Sequence, residues 1–382
     1  MKILMLCEHP DTCGSMSTQG NLLYRGLLEL GVDVKTCHYQ YRPKEKEWYY
    51  KSYKPDVVLG IGWWVDTPDI VVSPQKFGLL PVPWLLADGW VANYHKILGS
   101  LPLVLTTSQW VIDTYKRDDV DVKNFEVLHV SFDDKLFHPI PKTDPGVIEM
   151  KKWFGIESDA KIIMTAGGDV TSKGAQEVIR ALAKVDKEFK NWIYICKASE
   201  SDCAREHHKE ELALMKEVGL DPKKVIYNED DFTRETMPYL LSMCDVYAAP
   251  SRLEGFGMIQ VEAMACGIPV VSIDAGGPRD TIIHGETGFL AKVGETVDLS
   301  SELVSDEMGL DGVERIYFDK PKTFAYRANP DDLAKYILQL FTDDNLRKTM
   351  GEKAAKHALA NFQYKFLAQR CLDILKRKLN LA

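Results

Sequence analysis

The stretch Pro250-Ser251-Arg252-Leu253-Glu254-Gly255-Phe256-Gly257-Met258-Ile259-Gln260-Val261-Glu262-Ala263-Met264-Ala265-Cys266-Gly267 decides the fold. It follows an apolar run at 245–249 that reads as a buried strand. It then passes two glycines and enters an apolar-periodic segment, 258–266, that reads as a helix stopped by Gly267. The element is strand, tight glycine loop, helix. A helix that starts at such a loop points free backbone N–H groups and a positive dipole end into the space before it. That arrangement suits phosphate. Glu254 stands in the loop and Glu262 two turns into the helix. A carboxylate accepts two hydrogen bonds, which suits the paired hydroxyls of a sugar or ribose. Phosphate and hydroxyls together point to a sugar nucleotide.

Seven residues separate Glu254 from Glu262, with Pro-Ser ahead and Gly-Phe-Gly inside. In that order the phrase resembles the signature of family 4 glycosyltransferases, retaining enzymes of the GT-B fold. A buried α/β turn with two incidental glutamates would not need the whole phrase. The resemblance implies an α/β chain of two Rossmann-like, doubly wound domains facing across a cleft. GT-B enzymes generally need no metal, so no cofactor and no metal are expected.

The bulk properties fit such a chain. Its 382 residues exceed one ordinary core and suit two domains. The hydrophobic fraction of 45% and charged fraction of 27% are those of a globular protein. No apolar run has the length to span a bilayer. The formal charge of −9 argues against a nucleic-acid partner. It gives no support to strong docking on an anionic membrane, but leaves a local patch for peripheral contact open. Eight cysteines are scattered without a C-x-x-C pair. Cys7, Cys196, Cys244 and Cys266 lie in apolar surroundings and read as core thiols. A reducing cytoplasm fits.

The N-terminal domain, 1–140, opens as strand (2–7), helix and strand (32–38). The helix carries Leu22, Leu23, Leu27, Leu28 and Leu30 and stops at Gly31. Further strands are expected near 57–61, 82–87, 103–107 and 126–130, so the sheet should be parallel and doubly wound. The loop after the first strand lacks G-x-G-x-x-G, which disfavours a dehydrogenase. In family 4 this loop holds two adjacent glycines near the donor phosphates. Here Gly14-Ser15 matches with one glycine missing. His9 lies on the same loop, at the carboxyl end of a strand, where α/β ligands bind. It is an acceptor-side candidate or a structural hydrogen-bonder. Trp63, Trp64 and Asp66 leave another strand. Flat apolar faces beside a carboxylate make a sugar platform, the hypothesis for the acceptor, against ordinary packing at a domain edge. At 84–90 many family members carry His-Asp beside the donor sugar. Ala87 replaces that histidine, and only Asp88 matches, as a catalytic-site candidate. Ser108 reads as a helix N-cap.

Three prolines at 139–145 mark an interdomain linker. The C-terminal domain, 146–361, is expected to bind the nucleotide sugar. Its strand 161–166 runs into Gly167-Gly168-Asp169-Val170-Thr171-Ser172-Lys173-Gly174 and a helix at 175–185. Lysine precedes glycine here, the reverse of a Walker motif, so a P-loop is rejected. The family pattern is Gly-Arg, a short gap, then Lys-Gly. Lys173 fits as a diphosphate contact, while Gly168 occupies the arginine position. Lys197, at the end of strand 192–196, and Arg252 are candidate substitutes. By resemblance the loop after strand 225–228 lies near the base, where Asn228 reads an edge or Phe232 stacks. Asp230 and Asp231 read as solvated loop acids. Residues 294–329 depart from the family pattern as a long loop. An acceptor lid, an oligomer contact and a neutral insertion are all open for it. A final amphipathic helix, 362–382, is expected to pack back on the first domain.

The resemblance implies hexosyl transfer from a UDP- or GDP-sugar to a hydroxyl of a carbohydrate, lipid-linked or other acceptor, with retention. Glu262 would bind the ribose hydroxyls. Glu254, with the backbone of Gly255, Phe256, Gly257 and Met258, would position the donor sugar. No protein nucleophile is evident, and the departing phosphate itself would take the acceptor's proton. Three alternatives stand beside this. One is a GT-B epimerase, which would turn over UDP-GlcNAc without an acceptor. Another is a GT-B phosphorylase, which would need inorganic phosphate. The third is a non-catalytic nucleotide-sugar-binding protein, favoured by Ala87 and Gly168. Oligomeric state has no signature in the sequence.

Overall fold

The computed structural model describes residues 1–8, 14–40, 42–86, 89–156, 159–199 and 201–381, the side chains of 202–204 excepted. By packing, the chain forms two units. The first comprises Met1–Asp133, Asp298–Phe324 and Asn361–Ala382, the second Asp134–Val297 and Ala325–Ala360.

The first unit is built on β1 (Lys2–Leu6), β2 (Asp33–Cys37), β3 (Val57–Gly62), β4 (Pro81–Leu85), β5 (Val104–Thr106) and β6 (Phe125–Val127). They form one sheet in the order β2-β1-β3-β4-β5-β6, with every adjacent pair parallel. β3 and β4 are buried at every residue. Parallel strands covered on both faces read as continuous apolar runs, which is why they were visible in the sequence. The helix Ser15–Glu29 follows β1 and ends in the left-handed turn at Gly31, φ +77°. The helix Tyr364–Leu379 packs on it so closely that a Cβ on Gly26 would lie 2.6 Å from Ala368 Cβ. The Arg25 guanidinium stacks on the Tyr364 ring at 3.9 Å.

The second unit carries β7 (Lys161–Ala166), β8 (Trp192–Lys197), β9 (Val225–Asn228), β10 (Val246–Ala248), β11 (Val270–Ile273) and β12 (Gly288–Ala291). Their order is β12-β11-β10-β7-β8-β9, again all parallel. The order reverses between β7 and β10, the topological switch point at whose carboxyl ends doubly wound sheets bind ligands. The corresponding point in the first unit lies between β1 and β3. The core of the second unit gathers Ile163, Val178, Leu182, Tyr194, Val246 and Leu333 about its sheet.

The sequence led us to expect a long loop at 294–329, and the structure overturns that. β13 (Val293–Leu303) and β14 (Arg315–Ala328) pair with each other as a long hairpin. Asn329 N–H donates to Lys292 O at its base, and Val304 N–H to Glu314 O near its end. Within the first unit Ile316, Phe318 and Phe324 pack against the core that holds Trp64 and Trp90. Asp118 is buried there and pairs with Arg117 and with Lys322 of β14, at 2.9 and 2.8 Å. Those partners, with the Val91 N–H, overcome the cost of burial and hold its carboxyl below the usual range. Cys7, Cys196, Cys244 and Cys266 are buried free thiols. No helix among the described residues is long and apolar enough to cross a membrane.

Candidate nucleotide-sugar site

Two loops leave the switch point of the second sheet. Residues 167–174 connect β7 to the helix Ala175–Val185, and 249–257 connect β10 to the helix Met258–Ala265. Their backbones touch. Arg252 N–H donates to Ser172 O at 2.9 Å. A Cβ on Gly174 would lie 2.4 Å from Pro250 O, and its φ of +87° admits glycine best. From this contact Lys173 Nζ reaches Glu254 Oε2 at 2.7 Å.

The signature loop is braced from its other side. Gly277 N–H donates to Glu254 O at 2.8 Å. A Cβ on Gly277 would sit 2.4 Å from Phe256 Cα, so only glycine lets the two chains meet. Phe256 is buried. Gly257 caps the helix at φ +98°, Met258 is its first residue, and Gly255 lies in the turn before it. Burial alone would raise the Glu254 carboxyl. Lys173, the Phe256 N–H and the Ser251 hydroxyl outweigh it and hold the group below the usual carboxylate range.

Glu262 has no exposed surface. Its Oε1 accepts from Arg234 Nη2, while Oε2 is buried without a hydrogen-bond partner among the described residues. Burial raises this carboxyl, and Arg234 opposes the rise only in part. Arg234 carries no motif, and it lies 28 residues before Glu262 in the chain. Sequence reasoning missed it, and no short-range signal marks it.

The remaining donor-side candidates fall around these loops. Gly168 is exposed, and a Cβ there would meet nothing within 4 Å. Lys197 is buried at the end of β8, with Nζ donating to Ala198 O at 2.8 Å and lying 5.8 Å from the Phe232 ring centroid. Burial lowers its ammonium, against Asp231 and Asp230. Asn228 is buried and donates from Nδ2 to Asp230 Oδ2, which leaves Oδ1 without a partner among the described residues. Phe232 stacks on Phe154 and meets Trp153 edge-on. Arg252 is turned away from a substitute role. It pairs with Glu177, which Arg327 also holds, and with Gln176.

In the first unit Gly14 precedes the helix that begins at Ser15, with an extended φ of −168°. The acceptor platform is corrected in part. Trp64 is 1% exposed and packs edge-on to Trp90 in the core, so it offers no face to a sugar. Asp66 is buried, and its Oδ2 accepts from Trp63 N–H at 3.0 Å, closing its own turn. Burial, helped by Asp69, Glu307 and Glu8, pushes the Asp66 carboxyl up to about 6 against that hydrogen bond. Trp63 alone stays half-buried. His9 and Asp88 lie outside the described residues. No cluster of three or more His, Cys, Asp or Glu suited to a metal occurs among the described residues.

Two parallel doubly wound sheets of this order define the GT-B fold. Sucrose-phosphate synthase from Thermosynechococcus elongatus superposes with a TM-score of 0.74 at 17% identity, over 100% of both chains. Anabaena Alr3699/HepE in complex with UDP and glucose superposes at 0.70 and 17% identity, over 98% of this chain and 99% of that one. Residues 147–309 match the model of the family described as glycosyl transferases group 1. N-acetyl-alpha-D-glucosaminyl L-malate synthase of Bacillus anthracis is 28% identical over 63% of this chain and 50% of that protein. D-inositol 3-phosphate glycosyltransferase of Corynebacterium aurimucosum is 24% identical over 72% and 64%. The matched region is thus about half to two-thirds of the length of these relatives.

Proposed function

We propose that this chain transfers a hexosyl group from a nucleoside-diphosphate sugar to a hydroxyl acceptor, with retention of anomeric configuration and without a metal. The observation that carries it is the pair of glycine loops at one switch point. They bring Lys173 against Glu254 beside the amino end of the helix that holds Glu262. In this reading the helix N-terminus and Lys173 hold the diphosphate, and Glu262 takes the ribose hydroxyls. Glu254 and the Phe256–Gly257 backbone position the sugar. Positive charge and N–H dipoles directed at the leaving diphosphate stabilise the charge that develops on it. The departing phosphate oxygen takes the acceptor's proton on the face it leaves. UDP is the first nucleotide to test, because the HepE structures hold UDP or UDP-glucose. GDP is the second.

A thermal-shift panel of UDP, GDP, ADP and their sugars tests the reading. One nucleotide series should raise the melting temperature, and Glu262→Ala should abolish the rise. A flat panel, or an undiminished shift in Glu262→Ala, would overturn it. The acceptor screen should include L-malate and inositol 3-phosphate, for which the two relatives above are named. Proton NMR of the product's anomeric signal reads retention or inversion.

A non-catalytic nucleotide-sugar-binding protein is the second reading, favoured by the bare Gly168 position. Nucleotide binding with no donor turnover, with or without acceptor, would select it. Slow donor hydrolysis would exclude it. Turnover of UDP-GlcNAc without acceptor would point to an epimerase, and a requirement for inorganic phosphate to a phosphorylase.

A further inference from the structure

The Glu262 carboxylate is used asymmetrically. Oε1 is held by Arg234, and Oε2 is buried with nothing to accept from among the described residues. A buried acceptor without a donor is costly, and a buried carboxylate persists only when a cation compensates it. Arg234 is that cation. Its guanidinium lies over the Phe137 ring, 4.8 Å from the centroid, which fixes its plane as well as its charge. Of the pair, only the arginine meets solvent, with a side chain 31% exposed against 0% for Glu262.

We propose that Arg234 is a positioning residue: it clamps Glu262 through Oε1 and keeps Oε2 for the ribose hydroxyls of the nucleotide. This rests on the donor reading above. Phe137 and Arg234 set the angle at which the ribose docks. Among the described residues, three charged or titratable groups act on Glu262. Arg234 comes from the loop after β9, Tyr247 from β10, and the Cys266 thiol from the end of its own helix. Arg234 is the only cation of the three, so removing it leaves burial unopposed. A protonated Glu262 then has one acceptor site fewer for the two hydroxyls.

The test is calorimetry on the full chain with UDP against 2′-deoxy-UDP, or GDP against 2′-deoxy-GDP if the panel selects GDP. The wild type should prefer the ribonucleotide by about tenfold, the loss of one charge-assisted hydrogen bond, with little change between pH 8 and pH 6. Arg234→Gln should weaken ribonucleotide binding by about tenfold, erase the preference, and make affinity fall more steeply than the wild type's as the pH is lowered. Arg234→Lys, which keeps the charge, should lose part of the preference and stay flat with pH. It carries the test should Arg234→Gln fail to fold by circular dichroism. Wild-type preference and pH profile in both variants would overturn the proposal and leave the donor reading standing. An equal loss for both nucleotides with a flat profile would also overturn it, because Arg234 would then act on another part of the ligand. No binding of either nucleotide by the wild type would overturn both readings.

Discussion

Lys173 Nζ and Glu254 Oε2 stand 2.7 Å apart, joining loops that leave the adjacent strands β7 and β10. The side chains are only 27% and 18% exposed, so solvent screens the pair weakly. The lysine does two things. It offsets the burial of the carboxylate, and it fixes one loop against the other before any ligand arrives. A diphosphate would enter a site whose geometry already exists, which lowers the entropy cost of binding.

Removing that lysine should therefore cost more than one phosphate contact. Lys173→Ala leaves Glu254 with little solvent and no cation, a loss of about 1–3 kcal/mol in stability near neutral pH. The sign with pH follows from the lowered Glu254 carboxyl. A group depressed in the folded state stabilises above its unfolded pKa and loses that contribution as the pH falls. The gap between wild-type and Lys173→Ala melting temperatures should be full at pH 7 and narrow toward pH 4. A gap that widens with acid would show that the pair does not stabilise the fold.

The loop contact makes a second, purely steric expectation. Gly174→Ala must accept φ of +87° and a Cβ 2.4 Å from Pro250 O. Gly219→Ala must accept φ of +72° but meets nothing within 4 Å. Left-handed strain alone costs about 1–2 kcal/mol. The clash adds a further ~1–3 kcal/mol and moves the loop that carries Lys173. Denaturant melts should rank Gly174→Ala well below Gly219→Ala, and the nucleotide shift should be lost only in the former. Equal losses would mean that the two loops part easily.

The reach of the sequence is set by the range of the interaction. The glycine loops, the helix stop at Gly31 and the Ser108 cap, whose Oγ accepts from Val111 N–H, are local chemistry and were legible. The parallel strands were legible because both faces are apolar. The hairpin was misread as a loop although Ile316 and Phe318 alternate correctly for a strand. Their apolar partners, Trp90 among them, lie more than 200 residues away in the chain. Trp63 and Trp64 look alike in sequence, yet backbone direction sends only the second into the core. Arg234 was invisible for a related reason. Its meaning is a tertiary pairing with Glu262, and nothing near it in sequence encodes that.

Glu211 supplies a pH expectation behind the same loop. It is 1% exposed, and its Oε1 accepts from the Thr171 hydroxyl at 2.6 Å. Burial pushes its carboxyl up to about 7, with Asp169 adding to the rise and Thr171, His207 and Arg252 opposing it. A raised acid favours the fold when protonated, so its contribution is full below the unfolded pKa of about 4.5 and is lost as the pH climbs to about 7. Glu211→Gln keeps an acceptor for Thr171 and removes the titration. It should gain on the wild type as the pH rises from 5 to 8, by up to about 3 kcal/mol. Melts that stay parallel across that range would show that Glu211 ionises at little cost.

Gly168 offers a gain-of-function test. The position is exposed, has no left-handed φ, and has open space where a Cβ would go. Gly168→Arg should therefore fold as the wild type does. If the loop faces the diphosphate, the new guanidinium can grip it as a planar fork, a contact that a lysine makes only as a point charge. UDP carries one more phosphate than UMP, so the gain should depend on the second phosphate. Calorimetry should show UDP affinity rising by about tenfold, on the order of 1.4 kcal/mol, while UMP rises far less. The gain should shrink as salt is raised from 0.05 to 0.5 M, because an exposed ion contact is screened over about 10 Å at 0.1 M. Equal gains for UDP and UMP would place Gly168 near a general anion site. No gain for either would place the diphosphate out of reach of position 168 and leave Lys173 as the contact from this loop.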